Sequence, residues 1–186
     1  MAITTTEAAA ALRDISAADA RSREFKGYRR GAPYFLLWGI IWVVGYGLAG
    51  LSPRYGVAWF PLSLIGSIAS AVIGRRQRRR ESDRGAARAT LRYAGTCFAY
   101  LLFLIAAYAV LPPHEPNQLC AFPALFIGTM YLMAGIWIYQ RYLWVGMVLI
   151  VATLGGYFLL APWFSYWLAV VGGGALILTG LWMRKA

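Results

Sequence analysis

Apolar residues along this chain gather in six runs, at about 33–51, 57–74, 93–111, 119–138, 142–161 and 163–182, with polar stretches between them. Each run approaches the ~20 residues that an α-helix needs to cross ~30 Å of hydrocarbon. None of the six contains Asp, Glu, Lys, Arg or His. The pattern predicts an all-α, polytopic membrane protein with six transmembrane helices. An even number of crossings returns both termini to one side. Residues 1–32 then form a polar N-terminal segment and 33–186 a single six-helix domain.

The basic residues orient that domain. Of eighteen Lys and Arg residues, six precede the first run, eight lie between Arg75 and Arg92, one is Arg141, and two are Arg184 and Lys185. Only Arg54 falls on the opposite side. Cationic side chains are retained on the cytoplasmic side during insertion, so N-in, C-in placement in a cell (inner) membrane follows. The net charge of +11 is thereby read as topology and not as a nucleic-acid footprint. Residues 1–30 lack an apolar core of their own, so no cleavable signal peptide is expected and the first run directs insertion.

The even-numbered runs repeat one another. Phe60-Pro61-Leu62-Ser63-Leu64-Ile65-Gly66 matches Phe122-Pro123-Ala124-Leu125-Phe126-Ile127-Gly128, and Tyr166 to Gly172 is a looser third copy. A second glycine follows each copy, at Gly74, Gly135 and Gly180. Tyr34, Tyr93 and Tyr142 open the odd runs, and Pro53, Pro112 and Pro162 close them. The repeat predicts three tandem helical hairpins of the same orientation. Pro61 and Pro123 are expected in first helical turns, where the missing N–H is harmless. Gly66 and Gly74, with Ser63, Ser67 and Ser70, form a small-residue stripe suited to close helix contact in lipid. Trp59, Trp144, Trp163, Trp167 and Trp182 fall near helix ends and read as interfacial belts.

Two further segments face the cytoplasm in this reading. Residues 4–26 read as an amphipathic helix, opened by Thr4-Thr5-Thr6-Glu7 as a capping box, with Ala8, Ala11, Ile15, Ala18, Ser22 and Phe25 on its weakly apolar face. It is expected to lie on the headgroup layer, on the protein's inner loops or on a partner helix. The loop 75–92 carries Arg75, Arg76, Arg78, Arg79, Arg80, Arg84, Arg88 and Arg92 against only Glu81 and Asp83. Arg84, Arg88 and Arg92 recur every four residues and would form one basic stripe if the third helix extends inward. Side chains of this kind reach anionic phospholipid headgroups or an acidic partner protein. No aromatic residue is interleaved to stack bases, which argues against nucleic acid.

The stretch Arg23-Glu24-Phe25-Lys26-Gly27-Tyr28 resembles one found in small, uncharacterised bacterial multi-pass membrane proteins. The likeness covers roughly the first fifty residues and implies no activity.

Chemistry is sparse. Intramembrane ionisable residues, which proton-coupled transporters use, are absent from every run. The single histidine, His114, stands beside Glu115 in a proline-rich turn on the opposite side, short of the ligands a metal needs. Phosphate-cradling loops, nucleophile elbows and Cys-x-x-Cys pairs are absent. Cys97 and Cys120 are predicted about 20 Å apart in depth, too far for a disulfide. No cofactor and no metal are expected. Two functional readings follow. One is a non-enzymatic membrane component, regulatory, scaffolding or accessory, whose basic face binds anionic lipid or a cytoplasmic partner, with homo-oligomers allowed. The other is a passive transporter or channel for a small uncharged or aromatic solute, in a pocket formed by Trp42, Ser67, Tyr100, Thr129, Tyr131 and Thr153, with Gly172-Gly173-Gly174 at the same depth.

Overall fold

The structure is a computed structural model that describes residues 5–79, 86–138 and 140–185. Among the described residues there are helices and turns but no strand. Helix α1 spans Thr5–Leu51, and a 3₁₀ segment, Pro53–Ala58, leads into α2, Trp59–Arg79. Then come α3, Ala86–Val110; α4, Pro116–Trp137; and α5, Gln140–Leu159. After a 3₁₀ turn at Ala161–Trp163, the last helix, α6, runs over 164–184 with a π-helical turn, Leu168–Gly173, inside it.

Among the described residues five stretches are long and apolar enough to cross a membrane: Phe25–Leu51, Arg54–Gln77, Pro116–Trp137, Gln140–Leu159 and Ala161–Arg184. They are the mark of a multi-pass membrane protein. In α3 the apolar stretch among the described residues is shorter, Phe98–Val110.

Two boundaries differ from the sequence expectation. The N-terminal helix and the first pass were expected as separate elements, yet α1 is one helix of 47 residues. The reason is burial across the expected break. Tyr28, Ala32 and Phe35 are all buried, so the turns around Gly27 and Gly31 are held by packing, and Pro33 is accommodated inside the helix. A proline there removes one backbone donor, which neighbouring helices make tolerable. Pro123 was expected in a first helical turn, but it lies inside α4, because Pro116 already occupies the first turn beyond the cap residue Glu115.

Helix α1 is the hub of the bundle, packing against α6 most extensively and against α2, while α4 and α5 make the other tight pair. Glycines permit these approaches. A Cβ added at Gly39 would come within 3.0 Å of the Gly173 carbonyl oxygen, and one added at Gly146 within 2.5 Å of the Gly128 carbonyl oxygen. Such contacts are denied to any side-chain-bearing residue, and in lipid they supply the dispersion contacts that hold helices together. All six repeat glycines, Gly66, Gly74, Gly128, Gly135, Gly172 and Gly180, are buried.

Equivalent glycines nevertheless meet different neighbours. Gly66 of α2 faces Trp38 and Ile41 of α1, Gly135 of α4 faces Leu143 of α5, and Gly180 of α6 faces Ala32 and Leu36 of α1. The tightest packing therefore joins α4 to α5 and α1 to α6, across the boundaries between the repeat units. Helix α3 is outermost and touches α4 through long rings. Phe103 stacks on Phe126 at 4.5 Å between centroids, and the Tyr108 hydroxyl donates to the Leu119 carbonyl at 3.0 Å.

Candidate functional site

The register of these contacts defines two ends of the bundle. Gly180 meets Ala32, Gly173 meets Gly39, and Tyr166 meets Gly50, so α6 runs antiparallel to α1. Gln77 at the end of α2 donates to the Arg30 carbonyl of α1 at 3.0 Å. Arg141 at the start of α5 reaches Tyr28. One end thus gathers residues 28–30, 75–77, 140–142 and 182–185, and Arg29, Arg30, Arg75, Arg76, Arg184 and Lys185 are all exposed there. At the far end lie Ser52, the 3₁₀ segment with exposed Arg54, and the exposed His114 and Glu115. That end is tied by Asn117 Nδ2 donating to the Ala161 carbonyl at 2.8 Å, and by the His114 N–H donating to Gln118 Oε1 at 2.8 Å.

Of the arginines proposed from the 75–92 loop, Arg75 and Arg76 are placed at the basic end with their side chains exposed. Arg78 and Arg79 belong to the last turn of α2, and Arg88 and Arg92 lie one turn apart on α3, but their side chains lie outside the described residues. So do Arg80 and Arg84 altogether. On α1, Leu12 and Ile15 are exposed at 67% and 65%, so nothing within the bundle covers the weakly apolar face ahead of the first pass at those two positions.

The pocket residues proposed from sequence are spread through the bundle. Trp42 is buried in the core, edge-on to Tyr46 at 5.4 Å and against Gly172. Tyr131 belongs to a ring cluster with Phe35 and Tyr142, and Tyr100 stacks obliquely on Phe126 at 5.1 Å. The hydroxyls of Thr129 and Thr153 donate to carbonyls of their own helices, Leu125 at 2.9 Å and Leu149 at 2.6 Å. Ser67 is half-buried on α2. Two crevices open on the bundle's surface. One, of about 480 Å³, is lined by Tyr108, Pro112, Pro113, His114, Gln118 and Phe122. The other, of about 220 Å³, lies between α4 and α5, and Thr153 is the one proposed pocket residue that lines it.

Two tryptophans expected in the interfacial belts turn inward. Trp167 Nε1 donates to the Ala152 carbonyl at 2.7 Å across the α5–α6 contact, beside Gly156. Trp59 packs on Gly45 and stands edge-on to Tyr46 at 4.8 Å. Trp144, Trp163 and Trp182 remain exposed.

The feature that sequence reasoning passed over is Arg141, counted there only as one topological charge. Its guanidinium carbon stands 4.5 Å from the Tyr28 ring centroid and 4.3 Å from the Trp182 ring centroid. Its backbone N–H donates to the Tyr28 hydroxyl at 3.4 Å. Nη1 is buried and has no hydrogen-bond acceptor among the described residues. The signal for it lay in the short connection between the fourth and fifth runs. A basic residue there cannot move away from the helix ends that flank it. Among the described residues no cluster of three or more His, Cys, Asp or Glu side chains could hold a metal ion. Comparison with known proteins finds no matching family model, no curated relative and no solved structure.

Proposed function

We propose that this protein is a non-enzymatic component of a cell membrane whose basic end faces the cytoplasm and binds anionic headgroups. Its activity would be regulatory, scaffolding or accessory, exerted through that face. The observation that carries the reading is the segregation of charge: six exposed cations from α1, α2 and α6 share one end, and Arg54 stands at the other. Hydrocarbon excludes guanidinium groups, so such segregation matches the cytoplasmic bias of multi-pass proteins. Each Lys or Arg near an anionic leaflet contributes about 1 kcal/mol, falling off within a Debye length. Several on one surface are therefore enough to enrich anionic lipid around it, in a salt-sensitive way.

The test replaces Arg75, Arg76, Arg78, Arg79 and Arg80 by Gln in the full chain and measures co-purified anionic lipid over a salt series. The variant is expected to lose the salt-sensitive fraction of that lipid. Equal recovery from variant and parent at every salt concentration would refute the proposal. An acidic protein retained by the parent but not by the variant, with lipid unchanged, would redirect the same face to a cytoplasmic partner.

A further inference from the structure

The basic end holds two kinds of cation. Arg29, Arg30, Arg75, Arg76, Arg184 and Lys185 are exposed. Arg141 is fixed, its guanidinium flanked by Tyr28 from α1 and Trp182 from α6. Tyr28 is only 2% exposed and Met183, next to Trp182, is fully buried, so the cage is anchored in the bundle core. Ring faces attract a guanidinium but accept little from its N–H groups, which radiate in its own plane. Among the described residues no carboxylate pairs with Arg141, and its buried Nη1 has no acceptor. Nη1 itself is closed off, but Arg141 as a whole is part-buried, and a guanidinium that no carboxylate neutralises favours an anion where the residue is open.

From this geometry we infer that Arg141, with Tyr28 and Trp182, forms a specific site for the phosphate of one anionic phospholipid. The inference rests on the reading that this end lies at headgroup depth, and deepens it from a diffuse basic surface to one defined site. A phosphodiester matches the planar fork of a guanidinium with paired oxygens. The first turn of α5, where Arg141 sits, adds the partial positive charge of its N–H groups. Trp182 is 48% exposed, placing an indole at the rim where headgroups and acyl chains meet. Because the rings already hold the fork in place, little conformational entropy is lost on binding, in contrast to the flexible exposed arginines. The bound lipid would bridge the ends of α1, α5 and α6.

The experiment uses the full chain in mixed micelles with phosphatidylglycerol or phosphatidylcholine, and counts retained lipid by native mass spectrometry at low and high salt. The parent is expected to keep one phosphatidylglycerol that resists salt, beyond a salt-sensitive population. Arg141→Gln should weaken that one lipid at least tenfold. Arg141→Lys, which keeps charge but loses the fork, should fall between them. It also serves if the Gln variant does not elute as a folded, monodisperse species. Arg75→Gln with Arg76→Gln should strip salt-sensitive lipid and leave the resistant one. A resistant lipid held equally by the parent, Arg141→Gln and Arg141→Lys overturns the site while leaving the basic surface intact. Conversely, equal salt-sensitive binding by the parent and the Arg75/Arg76 variant removes the diffuse surface without touching the Arg141 result. Displacement of the resistant lipid by inorganic phosphate at millimolar concentration would assign the cage to a soluble anion and overturn the lipid assignment.

Discussion

Helix α5 carries two glycines nine residues apart in opposite surroundings, and they isolate what close helix approach contributes. A Cβ at Gly146 would lie 2.5 Å from the Gly128 carbonyl oxygen and 2.9 Å from Leu132 Cα, with the Leu132 amide nitrogen closer still. All three are backbone atoms of α4 and cannot swing aside. At Gly155 an added Cβ would meet nothing within 4 Å. Both positions lie inside α5, so Gly→Ala gains the same ~1 kcal/mol of helix propensity at each. The difference between the two variants therefore reports the contact alone. Carbon atoms pack best at about 3.5–4.0 Å, so Gly146→Ala must push α4 and α5 apart by up to ~1 Å. Overpacking of this kind costs about 1–3 kcal/mol, or roughly 5- to 150-fold in the unfolding equilibrium. Gly155→Ala should be neutral or up to ~1 kcal/mol more stable than the parent. Gly146→Ala should be less stable than Gly155→Ala by the overpacking amount. Reversible unfolding in mixed micelles with increasing SDS, followed by circular dichroism, measures both. Coincident transitions for the two variants would refute the claim that glycine contacts hold α4 against α5. A Gly128→Ala, Gly146→Ala double variant should fall short of the sum of its parts, because both residues belong to one contact.

Placement relative to the bilayer can be checked by accessibility. In a background with Cys97 and Cys120 changed to Ser, Arg76→Cys and His114→Cys should label from opposite sides of sealed vesicles, and labelling from one side would end the orientation argument. Trp167→Phe keeps the ring against Gly156 but removes the hydrogen bond to Ala152, and should destabilise by about 0.5–1.5 kcal/mol in the same SDS titration. Tyr46→Phe, which removes the hydroxyl donating to the Cys120 carbonyl at 3.1 Å, should have an effect of the same size. A loss above ~3 kcal/mol in either variant would mean that the ring packing has also changed.

Five of the six expected apolar stretches are long enough among the described residues to cross a membrane, and they were legible in the sequence because a helix in lipid must satisfy its own backbone and present apolar side chains for about 20 residues. Helices α2, α4, α5 and α6 begin and end within a few residues of the expected runs. Charge segregation was legible for the same reason, since each cation declares its aversion to hydrocarbon one residue at a time. Gly66 and Gly74 were legible as contact positions and are buried, as are the four glycines that repeat them.

Partners were not legible. The repeated motif keeps Phe, Pro, Ile and Gly at the same places in α2 and α4, yet its glycine meets α1 in one copy and α5 in the other. Which neighbour it meets depends on the shapes of all the helices around it. The continuity of α1 through Gly27, Gly31 and Pro33 was hidden too, because local propensity argues for a break and only burial of Tyr28, Ala32 and Phe35 overrides it. So was the inward turn of Trp59 and Trp167, whose depth is written in the chain while their direction around the helix axis is settled by the neighbours they meet. Arg141 is the sharpest instance. Its charge and its depth belong to the sequence, but Tyr28 lies 113 positions away and Trp182 lies on another helix. Only the packing of α1, α5 and α6 brings two rings to one guanidinium, turning a topological charge into an aromatic cage.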